Sequence, residues 1–304
     1  MHTAKEMMFG WRKEFAYLEC GRCRCLQIAE IPSDLSSYYP EEYYSFARDL
    51  RWRNVVLARL RLLRNHFSIT GKGLLGRLLF AVSPDLILQL ICQSPLTPGM
   101  RILDVGCGAG HILCSLLKEG FTGLLGIDPY LKEEIVYPSG LRILNKRLDE
   151  LDGKFDVVMF NHAFEHLPDP KATLLECHRL LPSGGLCLLR IPTVSSYAWK
   201  HYGVNWVQLD APRHLFLHSM ESIDVLASET GFRIVKVIYD STAFQFWGSE
   251  QYARDIPLNS PDSYSVHRSN STFTVSAIRE YKKKAKELNV QREGDQAAFL
   301  LRRV

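Results

Sequence analysis

The sequence predicts an α/β fold: a mostly parallel seven-stranded sheet with helices on both faces, preceded by an N-terminal extension of cysteine-knuckle and helical character. Three observations carry this. From about residue 96 to about 240, short apolar runs alternate with helical patterns, the order a parallel sheet requires. The runs are apolar without alternation, as in Val157-Val-Met159, which fits strands covered on both faces. A glycine-rich turn, Gly106-x-Gly108-x-Gly110, separates the first such run from the first helix.

The elements follow in order. A strand over Arg101–Val105 comes after the turn Thr97-Pro-Gly99. A helix over Ala109–Glu119 stops at Gly120. Strands are expected over Leu124–Asp128, Leu141–Asn145 and Phe155–Phe160. A helix over Pro170–Leu181 starts with proline, where the missing N–H does no harm. The turn Ser183-Gly-Gly185 leads into a strand over Leu186–Ile191. Ser219 caps a helix that runs to Thr230, with Gly231 as its stop. Strands over Arg233–Tyr239 and Ala297–Leu301 complete the sheet.

Composition sets the class. The 304 residues are 46% hydrophobic and 23% charged, enough to bury a sizeable core. The net charge of +4 neither demands nor excludes an anionic partner. No uninterrupted apolar run of about 18 residues exists to cross a membrane. Met1-His-Thr-Ala-Lys-Glu lacks the apolar centre of a signal peptide. Eight scattered cysteines suit reduced thiols in the cytoplasm. The chain divides into an extension, 1–95, and a main domain, 96–304.

Glycines let the turn bend sharply and approach a ligand, and the helix behind it offers unpaired N–H groups. Asp104 ends the strand before the turn. Asp128 ends the next strand, where an acid accepts hydrogen bonds from two ribose hydroxyls. The spacing is GxGxG, not the dinucleotide GxGxxG, so no pyrophosphate needs a cradle.

These features continue in order as Leu103-Asp-Val-Gly-Cys-Gly-Ala-Gly110, Gly126-Ile-Asp128, Phe155-Asp-Val-Val158, His162-Ala-Phe-Glu-His166 and Leu181-Pro-Ser-Gly-Gly185. From Met100 to about Tyr239 the chain resembles a class I S-adenosylmethionine-dependent methyltransferase. The resemblance implies a Rossmann-like sheet and S-adenosylmethionine as cofactor. It places Gly106 and Gly108 under the cofactor, with Cys107 and Gly110 completing the turn. Asp104 faces the amino-acid end, Asp128 the ribose, Leu148 and Asp149 the adenine, and Asn161 and His162 the methionine portion. Pro32-Ser-Asp-Leu-Ser-Ser-Tyr-Tyr-Pro40, Glu41-Glu-Tyr-Tyr44 and Trp206-Val-Gln-Leu-Asp-Ala-Pro-Arg-His-Leu215 resemble a subgroup with an N-terminal cysteine knuckle, often associated with sugar and surface-polysaccharide pathways.

Other constellations have competing readings. His162-x-x-Glu165-His166 matches an inverted zinc-protease pattern, but Pro168 and Pro170 follow at once and deny it a long helix. Cys20-x-x-Cys23-x-Cys25 is half of a zinc ribbon with no second CxxC, so a packed, reduced hairpin is expected rather than a closed zinc site. No metal ligands are assigned. Arg48 to Phe67 holds six arginines on an amphipathic pattern, read as a solvated helix, with peripheral membrane contact as the alternative. Tyr197, Trp199, Tyr202 and Trp206 are candidates to wall an acceptor pocket. Arg213 and His214 are candidate acceptor contacts, and His214 and His162 are candidate proton acceptors. The expected acceptor is a small molecule or glycan, with a sugar favoured. An RNA or protein acceptor, and a non-catalytic binding module, are the alternatives. The oligomeric state is not encoded in any motif.

Overall fold

The computed structural model describes residues 1–40, 55–83, 88, 96–268 and 272–304. In chain order, β1 (His2–Lys5), β2 (Glu14–Glu19) and β3 (Leu26–Ile28) form an antiparallel meander. Two helices follow, α1 (Val55–Thr70) and α2 (Leu74–Val82). The main α/β region contains β4 (Arg101–Val105), α3 (His111–Lys118), β5 (Gly123–Ile127), β6 (Ile135–Val136), β7 (Arg142–Leu144), β8 (Val157–Asn161), α4 (Pro170–Leu180) and β9 (Leu186–Pro192). Then come α5 (Tyr197–Tyr202), β10 (Phe216–Leu217), α6 (Met220–Glu229), β11 (Phe232–Tyr239), α7 (Phe244–Ala253), α8 (Val275–Gln291) and β12 (Gln296–Arg303).

The main sheet has the order β11-β12-β9-β8-β4-β5-β7-β6. The central pairs β7·β5, β5·β4, β4·β8 and β8·β9 are parallel, while β12 runs antiparallel between β9 and β11. The chain first builds outward from β4 through β5 to β7. It then returns to β8 on the other side of β4. That reversal opens a crevice at the carboxyl ends of β4 and β8, the usual ligand position in such sheets.

Side chains alternate across the sheet as a two-residue period demands. Leu103, Val158 and Phe160 enter one buried layer with Leu174 and Phe299. Ile102, Val157 and Met159 enter the opposite layer with Leu113, Leu116 and Leu300. The expected Rossmann-like α/β architecture is therefore present. Asp169 caps α4 by accepting the Ala172 N–H at 2.8 Å. Replacing it with alanine is expected to lower stability by about 1 kcal/mol in urea unfolding, with donor binding unchanged.

Three expectations need correction. Among the described residues the main sheet has eight strands, not seven. The extra one, β6, is a two-residue antiparallel edge, too short to stand out as a run. Second, α7 was not expected. Gln245, Phe246, Gly248, Ser249, Gln251 and Tyr252 are all buried, and a helix covered nearly all round has no amphipathic period to read. Third, the N-terminal meander does not stand alone: β10, from the middle of the chain, pairs with β3 and completes a four-stranded sheet. Tyr17, Leu26 and Tyr38 share a core with Trp206, Leu209 and Leu217. The helix expected from Arg48 is described only from Val55. Residues 48–54, the 41–44 motif and the boundary at 95 lie outside the described residues.

Candidate functional site

The turn after β4 is held by short main-chain bonds. The N–H groups of Gly106 and Cys107 donate to the Ile127 carbonyl, at 2.8 and 3.2 Å. Gly106, Gly108 and Gly110 all have positive φ, at +69°, +52° and +75°, a region open to glycine at little cost. At Gly106 the fit is also tight, since a Cβ there would lie 2.6 Å from Cβ of Ala163. Cys107 is partly buried in the layer beneath the turn.

Asp128 locks this turn from the next strand. Its Oδ2 accepts the Gly108 N–H at 2.9 Å and its Oδ1 accepts the Tyr130 N–H at 3.0 Å. Burial pushes its pKa up, and those two N–H groups oppose the rise. A carboxylate offers about four lone-pair positions, so both oxygens keep room for a further donor. Asp104 is 2% exposed, and its Oδ1 has no hydrogen-bond partner among the described residues. Burial, then the neighbouring Asp128 charge, pushes its pKa well above the usual range. A cationic ligand group at this turn would satisfy the orphaned oxygen and relieve that repulsion.

The other expected cofactor contacts scatter more. Leu148 is half-buried at the start of a short 3-10 turn and packs against the core. Asp149 is exposed and paired with Arg147, Nε to Oδ1 at 3.0 Å. Asn161 ends β8 beside the crevice, and its Oδ1 accepts from Arg190 Nη1 at 2.9 Å. Arg190 in turn meets Asp240, Nε to Oδ2 at 2.6 Å. His162 follows with φ +51° and is half-buried.

Glu165 is fully buried in the 3-10 turn Phe164–His166. Its Oε1 lies 3.3 Å from His162 Nδ1 and 3.9 Å from His214 Nε2. Neither carboxylate oxygen has an aligned hydrogen-bond donor among the described residues, so the His162 contact is electrostatic. Burial alone would raise the Glu165 pKa. Contact with His162 and the fields of His166 and His214 overcome that and hold it down to about 2. His166 is shifted down, first by burial and then by His214. The protease-like reading of His162 and His166 on one helical face fails, because no α-helix carries them.

The Ser196–His218 segment departs furthest from expectation. Arg213 is 0% exposed, and its donors are used inside the protein. Nε and Nη2 fork onto Asp210 at 3.0 and 2.6 Å, Nη2 reaches Glu6 at 2.9 Å, and Nη1 donates to the Tyr38 carbonyl. Trp206 is likewise fully buried, donating from Nε1 to Asp295 at 2.9 Å. Tyr197 receives a hydrogen bond from Lys284 and packs toward Phe246. Trp199 meets His2, and Tyr202 bonds Glu250. Arg213 and Trp206 are thus scaffold, and the four aromatic rings do not wall one pocket. His214 places its Nδ1 2.8 Å from the Gln208 carbonyl and its ring 4.7 Å from that of His166.

Sequence reasoning missed Glu6, Asp210 and Tyr39 here. Tyr39 brings its hydroxyl to 3.0 Å from His166 Nδ1 and stacks on Tyr130. Nothing local marks Glu6, whose partner is 207 positions away. Arg190 had a signal, a charge inside an otherwise apolar buried strand, which requires a partner. The cysteines sit in the β2–β3 loop, where the Cys20 N–H bonds the Cys25 carbonyl at 2.9 Å.

Glycine turn, paired acids and strand reversal together define the class, a Rossmann-like fold with the donor site of S-adenosylmethionine-dependent methyltransferases. A family model described as a methyltransferase domain matches residues 78–237, over half of the chain, and the chain belongs to that family. It is 32% identical over 111 residues to the ubiquinone biosynthesis O-methyltransferase of Erwinia tasmaniensis, covering 33% of this chain and 46% of that protein. To the protein of the same name from Psychrobacter arcticus it is 29% identical over 175 residues, 49% and 66% of the two chains. The chain thus spans about half to two thirds of the length of these curated relatives. A solved structure, the cyclopropane synthase MmaA2 from Mycobacterium tuberculosis, aligns with a TM-score of 0.44 at 16% identity, over 84% of this chain and 87% of that one. No described helix is long and apolar enough to cross a membrane.

Proposed function

We propose that this protein transfers the methyl group of S-adenosylmethionine to a hydroxyl of a small-molecule acceptor. The single observation that carries this is the buried, unpartnered Asp104 oxygen beside Asp128 at the Gly106–Gly110 turn. When bound, the cofactor supplies a methyl group already activated on a sulfonium. Asp104 would balance the ammonium of its amino-acid end. Asp128 would accept the ribose hydroxyls while keeping its bonds to Gly108 and Tyr130. Leu148 would border the adenine with its apolar side, whereas Asp149 contributes main chain only, its carboxylate being turned to Arg147. Asn161, oriented by Arg190, would hold the loop end at the methionine portion.

The chain need not generate an electrophile, so its task is alignment and proton removal. His162, half-buried and 3.3 Å from the Glu165 carboxylate, is the proposed proton acceptor, with the carboxylate placed to orient the ring. Of the two supports for a sugar acceptor, the subgroup resemblance and an aromatic wall, the wall does not assemble, and the matched relatives carry the name ubiquinone biosynthesis O-methyltransferase. A phenolic or enolic hydroxyl is therefore favoured over a sugar hydroxyl. Calorimetry with S-adenosylmethionine tests the donor site. Incubation of the protein with the labelled cofactor and a panel of catechols and nucleotide sugars tests the acceptor. Transfer to sugars alone would reverse the acceptor assignment, and absence of donor binding would remove the enzyme reading in favour of a binding module.

A further inference from the structure

Beside the donor turn, two loops bring together side chains that donor binding does not use. We infer that Glu165, His166 and His214 form a binding site for a divalent transition-metal cation. One donor atom from each lies within 4.8 Å of the other two, and among the described residues no other three histidine, cysteine or acidic side chains do this.

Each imidazole has its Nδ1 held by a main-chain carbonyl. His166 Nδ1 is 2.8 Å from the Arg213 carbonyl, and His214 Nδ1 is 2.8 Å from the Gln208 carbonyl. A carbonyl only accepts, so each ring carries its hydrogen on Nδ1 and leaves the Nε2 lone pair available. Metal-binding histidines are held in this way by main-chain carbonyls that fix tautomer and direction. The third member, Glu165, is 0% exposed, and neither of its oxygens has a hydrogen-bond partner among the described residues. Such a carboxylate is expensive to bury unless a cation or donor meets it. Among charged partners, His162 Nδ1 lies at 3.3 Å and His214 Nε2 at 3.9 Å, and Asp210 Oδ2 stands 3.9 Å from the same His214 atom.

The frame around the three is stiff. The Glu165 carbonyl accepts the Leu215 N–H at 2.8 Å, tying the two ligand loops together. The Arg213 fork onto Asp210 and Glu6 anchors the second loop. Two nitrogens and one oxygen suit zinc, manganese, cobalt or iron, and leave coordination positions open. Calcium and magnesium prefer all-oxygen sets. In the methyl-transfer reading, on which this clause alone rests, an acceptor hydroxyl would take an open position and lose its proton more readily. The cation site itself stands on its own geometry.

The test uses the full chain, stripped with a chelator and titrated with Co2+ alone, followed by visible absorption and calorimetry. The expected result is about one equivalent bound, with ligand-field bands of nitrogen and oxygen coordination. Glu165→Gln and His214→Asn should each weaken binding by at least about tenfold, while Cys20→Ser with Cys23→Ser leaves it unchanged. Thermal unfolding of the unmodified protein should shift upward with Co2+, a readout that needs no variant. No bands and no shift would overturn the proposal. So would bands that survive Glu165→Gln, or bands lost only with the cysteines. S-adenosylmethionine calorimetry on the same samples separates a failed cation site from a failed donor site.

Discussion

Replacing Arg213 with alanine is expected to destabilise the protein by about 3–5 kcal/mol, the largest single effect we anticipate. The guanidinium is wholly buried and satisfies two carboxylates, Asp210 and Glu6, plus the Tyr38 carbonyl. Removing it strands two buried acids without a countercharge. Lysine should rescue only part of the loss, because a point charge cannot match the forked contact to Asp210. The pH dependence follows from the same cluster. Burial raises the Asp210 pKa, but Arg213 outweighs it and holds the value below the usual 3.8. A depressed folded value means that the stabilisation is full above the unfolded aspartate value. It is lost as pH falls through the lower folded one. In Arg213→Ala the strongest opposition to burial is lost and only the weaker fields of His214 and His166 remain, so the acid-unfolding midpoint should move to higher pH. Circular dichroism against urea and pH measures both. A variant within about 1 kcal/mol of the parent would mean that Arg213 is not buried as described.

Changing Gly106 to alanine is expected to abolish measurable donor binding while leaving most of the fold intact. Two penalties coincide there. The residue has φ +69°, which costs a non-glycine residue about 1–2 kcal/mol. The new methyl would also sit 2.6 Å from Cβ of Ala163. Ala163 is next to His162 on the loop after β8, so relief of the clash displaces the wall opposite the donor turn. Gly184 supplies the control. It has φ +79°, but a Cβ there meets nothing within 4 Å. Gly184→Ala should therefore show the strain alone, with a smaller loss of stability and unchanged calorimetry toward S-adenosylmethionine. Equal effects of the two variants on donor binding would remove the special role of the Gly106 approach.

Much of the donor half was legible from the residues alone. Strand, glycine turn and helix are contiguous, and Asp128 lies one βαβ unit downstream, so local pattern and a short crossover place all of them. The unbroken apolar runs at Leu103 and Val157–Phe160 named central strands because only those are covered on both faces. What local pattern cannot report is which distant group meets a polar side chain. Arg213 and His214 are adjacent in sequence and looked alike as candidates for the acceptor. The fold separates them. The guanidinium of Arg213 turns inward to Glu6 on the N-terminal segment, while the outer nitrogen of His214 approaches Glu165.

The α/β class, the position of the donor turn, its two acids and the family to which the chain belongs are all readable from the residues in order. These depend on periodicity and on spacings of about twenty residues or less, which the chain carries in its own order. Three-dimensional packing was needed to show that the N-terminal meander completes its sheet with Phe216 and Leu217, that Tyr39 reaches His166, and that Glu165 lies among histidines without a hydrogen-bond donor. The physical reason is that burial and countercharge are properties of a place in space. A carboxylate acquires its hydrogen-bond debts and its shifted pKa only when segments far apart in sequence close around it.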